Sequence, residues 1–136
     1  MRDGYFLKCS LQNGDTIFTR SIGGPKDDEF FSLTESVFPG FQGFVLCGYN
    51  RSFSGVEEDQ ESYTVKIDSI GAYMWMDSHG HATGDDINYS STELNPLHFF
   101  ISGTTPYGGG GIDVGCGLIN WGGFWLYNNS TTFCYK

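Results

Sequence analysis

The amino-acid sequence predicts an all-β domain, either an antiparallel β-sandwich of jelly-roll type or a closed barrel, with about ten short strands. Apolar residues recur with a period of two along most of the chain. Glycine accounts for 20 of 136 residues and aromatic residues for 17%, whereas alanine occurs only at Ala72 and Ala82. This composition is poor in helix formers, and no segment is long enough for a helical crossover. Helical bundles and parallel α/β folds are therefore excluded.

The N-terminal half contains five predicted strands, bounded by turn residues. Residues 62–68 show the clearest alternation, with Tyr63, Val65 and Ile67 on one face and Thr64, Lys66 and Asp68 on the other. Asn13-Gly14 predicts a hairpin turn after the first strand. Residues 34–39 also fit a single helical turn as an alternative. The predicted strands are residues 4–10, 16–20, 30–34, 41–49 and 62–68.

The C-terminal half predicts five more strands, separated by polar or glycine-rich loops at 77–86 and 103–111. In residues 112–119, Ile112, Val114, Cys116 and Leu118 form an apolar face, and the other face is nearly bare because it carries glycines. The predicted strands are residues 70–76, 97–102, 112–119, 121–127 and 131–135. No linker or repeat interrupts the chain, so residues 1–136 form a single all-β domain.

The charge distribution limits the classes of ligand. The formal net charge is -9, and no Lys or Arg occurs between Ser69 and Tyr135. Binding to nucleic acid or to an anionic membrane depends on basic side chains that neutralise phosphates. We therefore expect no nucleic acid, no anionic membrane and no phosphorylated ligand. Neutral ligands such as sugars, and cations, remain open.

The cysteines and the N-terminus leave the cellular location open. The four cysteines, Cys9, Cys47, Cys116 and Cys134, permit two disulfides, with free buried thiols as the alternative. No signal peptide is visible. The chain is therefore cytosolic, an excised fragment, or a protein that reaches the outside by another route, as virion parts do. Of these we favour an extracellular or virion-surface location.

The loop that begins at Asp77 carries candidate metal ligands. His79 and His81 lie two residues apart and can point the same way in an extended segment, with Asp77 beside them. Two imidazoles and a carboxylate suit a divalent metal, which could activate water. The alternative is a solvated loop of common turn-forming residues without a metal. No other cofactor is indicated.

Aromatic side chains form a second group of candidates. Tyr73 and Trp75 lie on one strand face, opposite Met74 and Met76, and are outward if the methionines face the core. Exposed tyrosine and tryptophan rings can stack on the C–H face of a sugar, while nearby Asp, Asn and His bond its hydroxyls. The alternative is that these rings fill the core. The predicted ligand-binding residues are Tyr73, Trp75, Asp77, His79, His81, Tyr107, Trp121, Trp125 and Asn128.

These observations favour a non-enzymatic binding module for neutral glycans. In composition, though in no specific motif, the chain is similar to fungal and bacterial lectins, cytolysin-type sandwiches and virus or phage receptor-binding tips. Single sites of this kind are weak, so we expect a homo-oligomer that gains avidity. One alternative is a metal-dependent hydrolase using His79, His81 and Asp77. Others are a virion or appendage assembly subunit that packs its glycine-bare face on another chain, and a cytolysin that binds neutral lipid.

Overall fold

The computed structural model describes residues 1–54, 59–80, 84–106, 113–120, 122–123 and 125–129, with the backbone alone for 113 and 125–129. The described residues form ten strands. They are β1 (Gly4–Cys9), β2 (Thr16–Ile22), β3 (Asp28–Ser36), β4 (Gly43–Asn50), β5 (Glu61–Asp68), β6 (Tyr73–His79), β7 (Ile87–Asn95), β8 (His98–Thr105), β9 (Asp113–Asn120) and β10 (Trp125–Asn129).

The ten strands form three antiparallel sheets. The strands β1 and β2 make a hairpin, β3 to β6 make a central sheet, and β7 to β10 make a C-terminal sheet. Each sheet joins strands that are consecutive in sequence, so the connectivity is a series of meanders without jelly-roll alternation. The predicted all-β sandwich is confirmed, and no sheet of the described residues closes into a barrel.

The central sheet is covered on both faces, which explains why β4 is buried along its whole length. Tyr63, Val65 and Ile67 of β5 share one face, as the sequence predicted, and this face is turned toward the hairpin. Phe6 of the hairpin packs on Phe44, with ring centroids 5.0 Å apart. This first core consists of Phe6, Phe44, Leu46, Tyr63, Val65 and Ile67, flanked by Phe18, Ile22 and Phe30.

The opposite face of the central sheet packs against the C-terminal sheet. Its apolar centre joins Val45 and Cys47 to Phe99, Ile101 and Ile119, with Trp75 packed against the group. Polar side chains surround this centre, in contrast to the hairpin side. The strand β7 contacts β3, β4 and β5, and it supplies most of the polar partners in this interface.

Several strand assignments differ from the sequence prediction. The strand β6 covers Tyr73–His79 and not 70–76, so Asp77 and His79 lie in a strand and not in the predicted loop, and β10 covers Trp125–Asn129 and not 121–127. The strand β7 was not predicted, because Ile87–Asn95 is mostly polar on both faces. One of its faces meets the polar side of the central sheet, and the other is exposed, so neither needs an apolar pattern. The strand β3 continues to Ser36, which excludes the helical turn proposed for 34–39.

The orientation of β9 also differs from the expectation. Ile119 and Gly117 pair with Phe99 and Ile101, so the face with few side chains is turned toward the central sheet. Val114, on the apolar face, is 57% exposed. The part of the glycine-bare face at Gly117 and Ile119 is therefore buried against the central sheet.

The cysteines differ in bonding and in burial. Cys116 is disulfide-bonded, whereas Cys9 is free and exposed and Cys47 is free and buried. Burial raises the pKa of the Cys47 thiol to about 11. Cys134 and the predicted strand at 131–135 lie outside the described residues.

Candidate functional site

The strand β6, at one edge of the central sheet, places its predicted site residues on two different faces. Trp75, Asp77 and His79 pair with Lys66, Thr64 and Ser62 of β5, so all three share the face that is turned toward the C-terminal sheet. Trp75 is half-buried and packs against the second core, the apolar centre between the central and C-terminal sheets that consists of Val45, Cys47, Phe99, Ile101 and Ile119. Its indole Nε1 is buried and has no hydrogen-bond partner in the part of the chain that is described.

Tyr73 lies on the opposite face because the register shifts between Lys66 and Ile67. One extra residue, Met74, is accommodated on β6, so Tyr73 pairs with Ile67 on the hairpin side. Tyr73 is 59% exposed, while Met74 and Met76 are 39% and 40% exposed. The expectation that both methionines face the core, with Tyr73 and Trp75 together outside, is therefore wrong.

The Asp77–His79 pair is formed, but a metal centre is not assembled in the described residues. His79 Nδ1 lies 2.7 Å from Asp77 Oδ2, and both side chains are half-buried. Among the residues described, no three His, Cys, Asp or Glu side chains are placed to hold a metal ion. His81 lies outside the described residues, so its share in a metal site stays a prediction.

The remaining predicted residues are only partly located. Tyr107 and Trp121 lie outside the described residues, and Trp125 and Asn128 are placed by backbone on β10. The turn between β9 and β10 approaches β6, since a Cβ added at Gly123 would lie 2.9 Å from the Trp75 ring. This contact places Gly123 beside Trp75 of β6.

A cleft of about 350 Å³ opens on the hairpin side, between β2 and the β5–β6 edge. Aromatic rings and a thioether form much of its wall. Of the residues that line the cleft, only Tyr73 was predicted as a site residue from the sequence. The cleft is lined by Arg20, Ser21, Ile22, Gly23, Phe53, Tyr63, Ile67, Gly71, Ala72, Tyr73 and Met76.

Tyr63 forms the floor of the cleft and supplies a fixed hydrogen-bond donor. Its ring stacks on Phe30 at 5.3 Å and contacts Phe53 at 5.8 Å. Its hydroxyl donates to the Sδ atom of Met76 at 3.7 Å. Burial, followed by the charge of Asp28, raises the pKa of Tyr63 well above its usual value, so the phenol keeps its proton.

Arg20 closes the cleft where the β5–β6 loop meets the hairpin. Its Nε donates to the carbonyl oxygen of Gly71 at 2.7 Å, and one terminal nitrogen donates to that of Ile70 at 3.3 Å. The guanidinium carbon lies 5.2 Å from the centre of the Phe18 ring. Arg20 also donates to the Thr19 carbonyl oxygen, so three of its five N–H groups are bonded within the fold. Two N–H groups remain for a ligand or water.

Three residues of the cleft, Phe53, Tyr63 and Met76, were not predicted as site residues from the sequence. Phe53 lies in a polar loop, Tyr63 belongs to a core-facing alternation, and Met76 was expected to be buried. The one available signal was the large aromatic Phe53 in an otherwise polar segment.

Comparison with known proteins adds no assignment, because no family model, curated protein or solved structure matches the chain. None of the described residues forms a helix long and apolar enough to cross a membrane.

Proposed function

We propose that this protein is a non-enzymatic binding module that recognises a neutral glycan in the cleft beside Tyr73. The observation that carries the proposal is the wall of the cleft, where Phe53, Tyr63 and Tyr73 surround a space of about 350 Å³ with a buried phenol donor at its floor. Aromatic walls with a few fixed polar groups are typical of small-ligand sites.

The exposure of Tyr73 supports a stacking role. A tyrosine that is 59% exposed gains little from core packing, yet it lies at the edge of an apolar cleft. A sugar ring can lay its C–H face on such a phenol and leave its hydroxyls toward water or toward the rim. The site is small and open, so a single copy binds weakly, and the predicted homo-oligomer would supply avidity.

The charges around the cleft favour a neutral ligand. The net charge of -9 repels anions at a distance. Arg20 is the one cation among the lining residues, and carbonyl oxygens and the Phe18 ring already engage it. No described feature specifically favours the hydrolase alternative, since His79 pairs with Asp77 on the other face of β6.

A glycan array on fluorescently labelled protein tests the proposal. We expect binding to a defined set of neutral sugars, and a loss of about tenfold or more in Tyr73→Ala, because the variant removes the stacking ring. Tyr5→Ala is the matched control, because Tyr5 is also exposed but lies on the outer face of the hairpin. Folded protein that binds no sugar, or equal losses in both variants, would contradict the proposal.

Trp75→Ala separates this cleft from the site first predicted. Trp75 packs against the second core and does not line the cleft. We therefore expect the variant to lower the free energy of unfolding while sugar binding by the folded fraction is retained.

A further inference from the structure

The hydrogen-bond donors and acceptors of the cleft differ in how fully they are bonded within the fold. This difference narrows the class of ligand that the cleft can bind. Tyr63 is 1% exposed, and the described partner of its hydroxyl is the Met76 thioether, a weak acceptor. A ligand oxygen at this position would accept a stronger hydrogen bond than sulfur does. The floor of the cleft therefore favours a ligand that presents an acceptor.

Two acceptors near the cleft, the Asp28 carboxylate and the Gly71 carbonyl oxygen, already accept hydrogen bonds within the fold. Asp28 Oδ1 accepts from the backbone N–H groups of Arg51 and Ser52, at 3.0 and 3.2 Å. Its Oδ2 accepts from the Gly24 N–H at 2.7 Å and from the Ser52 hydroxyl at 2.6 Å. The Gly71 carbonyl oxygen is taken by Arg20.

A sugar hydroxyl is a poor fit to this floor. A hydroxyl that accepts from the Tyr63 phenol must place its own hydrogen on a second acceptor, and a buried donor left without one costs more than the accepted bond gains. A carbonyl oxygen flanked by a methyl group has no such hydrogen. The apolar neighbours Ile67, Ala72 and Met76 suit the methyl group, and Tyr63 suits the oxygen.

From these contacts we infer that the ligand is an N-acetylated amino sugar, an inference that rests on the proposed function. The acetamido carbonyl accepts from the Tyr63 hydroxyl, and its methyl packs against Ile67 and Met76. The pyranose ring stacks on Tyr73, with its hydroxyls and the amide N–H toward the open mouth. Arg20, which has two N–H groups beyond those engaged in the fold, donates to ring oxygens there.

Calorimetric titration of the full chain with matched methyl glycosides tests the inference. The probes are N-acetylglucosamine and N-acetylgalactosamine, compared with glucose, galactose and glucosamine. We expect the N-acetyl sugars to bind the wild-type protein about tenfold more tightly than the matched hexoses, the effect of one hydrogen bond with its methyl contact. The unacetylated amine should bind no better than the hexose.

The variant Tyr63→Phe tests whether the Tyr63 hydroxyl is the donor to the acetamido carbonyl. It removes one oxygen and keeps the ring, so we expect the preference for N-acetyl sugars to fall to about threefold or less. Hexose binding should fall by less than N-acetyl sugar binding, because a hexose has no acetamido carbonyl to accept from the phenol. Tyr49→Phe is the matched control, because the Tyr49 hydroxyl bonds Glu29 outside the cleft. It should leave the preference intact.

The outcomes distinguish the inference from the proposed function. Equal binding of hexoses and N-acetyl sugars, both lost in Tyr73→Ala, would overturn the inference and leave the glycan site in place. A preference unaffected by Tyr63→Phe would also overturn it. Folded protein that binds none of the sugars would overturn both. The comparison of sugars on the wild-type protein alone keeps the inference testable if Tyr63→Phe fails to fold.

Discussion

The two faces of the central sheet are packed by different chemistry, although both are formed by the same strands. On the hairpin side, β5 presents Tyr63, Val65 and Ile67 to aromatic rings. On the other side it presents Thr64 and Lys66 to the C-terminal sheet, where Asn88 donates to the Thr64 hydroxyl at 3.1 Å. The first contact is apolar and non-directional, whereas the second depends on paired polar groups.

This difference explains where the cleft lies. A two-stranded hairpin is too narrow to cover a four-stranded sheet, so the β5–β6 edge remains open on that side. An apolar interface tolerates such an opening because its uncovered side chains need no specific partner. The polar interface has less freedom, since each buried donor or acceptor that loses its partner is costly. The candidate binding site therefore belongs to the hairpin side.

The largest expected effect comes from truncating the apolar side. Phe44→Ala removes a ring that is buried against Phe6, and the cavity should lower the free energy of unfolding by about 3–5 kcal/mol. Urea unfolding followed by tryptophan fluorescence measures it. Leu11→Ala is the control, because Leu11 is fully exposed and its change should stay within about 0.5 kcal/mol. A small loss in Phe44→Ala would mean that the hairpin does not form a close-packed core.

A second expected effect concerns the buried cation on the polar side. Lys66 is 0% exposed, its Nζ lies 3.4 Å from the Phe41 carbonyl oxygen, and the Phe99 ring is 5.1 Å away. Burial lowers the pKa of Lys66 from 10.5 to about 8, while the charge of Glu93 acts in the opposite direction. The native protein thus releases this proton before the unfolded chain does.

The sign of the pH dependence follows from these values. Between pH 8 and about 10.4 the unfolded state holds more protons at Lys66, so its contribution to the free energy of unfolding rises with pH. Below pH 8, Lys66 is charged in both the native and the unfolded state, so the full cost of burying its charge lowers the free energy of unfolding. We expect the stability of Lys66→Met relative to the wild type to be about 3 kcal/mol greater at pH 7 than at pH 10.5.

Urea titrations of the wild-type and Lys66→Met proteins across pH 6 to 10.5 measure this difference. Lys26→Met is the matched control, because Lys26 is exposed and its removal should change the free energy of unfolding by no more than about 0.5 kcal/mol. A Lys66→Met protein that is less stable than the wild type at every pH would show that the ammonium group is a net stabilising element of the inter-sheet contact.

The smallest effect expected is that of a single polar contact between the sheets. The Thr34 hydroxyl donates to the Ser91 carbonyl oxygen at 2.8 Å and lies 2.7 Å from the Ser91 hydroxyl. Thr34→Val keeps the shape and removes the hydroxyl, so we expect a loss of about 1 kcal/mol in the free energy of unfolding. A double-mutant cycle with Ser91→Ala measures the coupling free energy between the Thr34 and Ser91 hydroxyls. Fully additive losses would show that the two hydroxyls are not coupled.

The sequence determined the strand-rich architecture and the two-sided character of β5. Alternation is local: successive side chains of any strand point to opposite faces, so Tyr63, Val65 and Ile67 had to share one face. The sequence did not reveal β7, because a strand placed between a polar interface and solvent shows no apolar alternation.

Tertiary structure alone decided where the aromatic side chains of β6 point. The extra residue Met74 on β6 lets strand pairing continue but reverses the orientation of the residues on one side of it. Tyr73 is thereby separated from Trp75 and brought beside Phe53 and Tyr63 at the hairpin. A register shift is a property of two paired strands, so the periodicity of one strand could not show it.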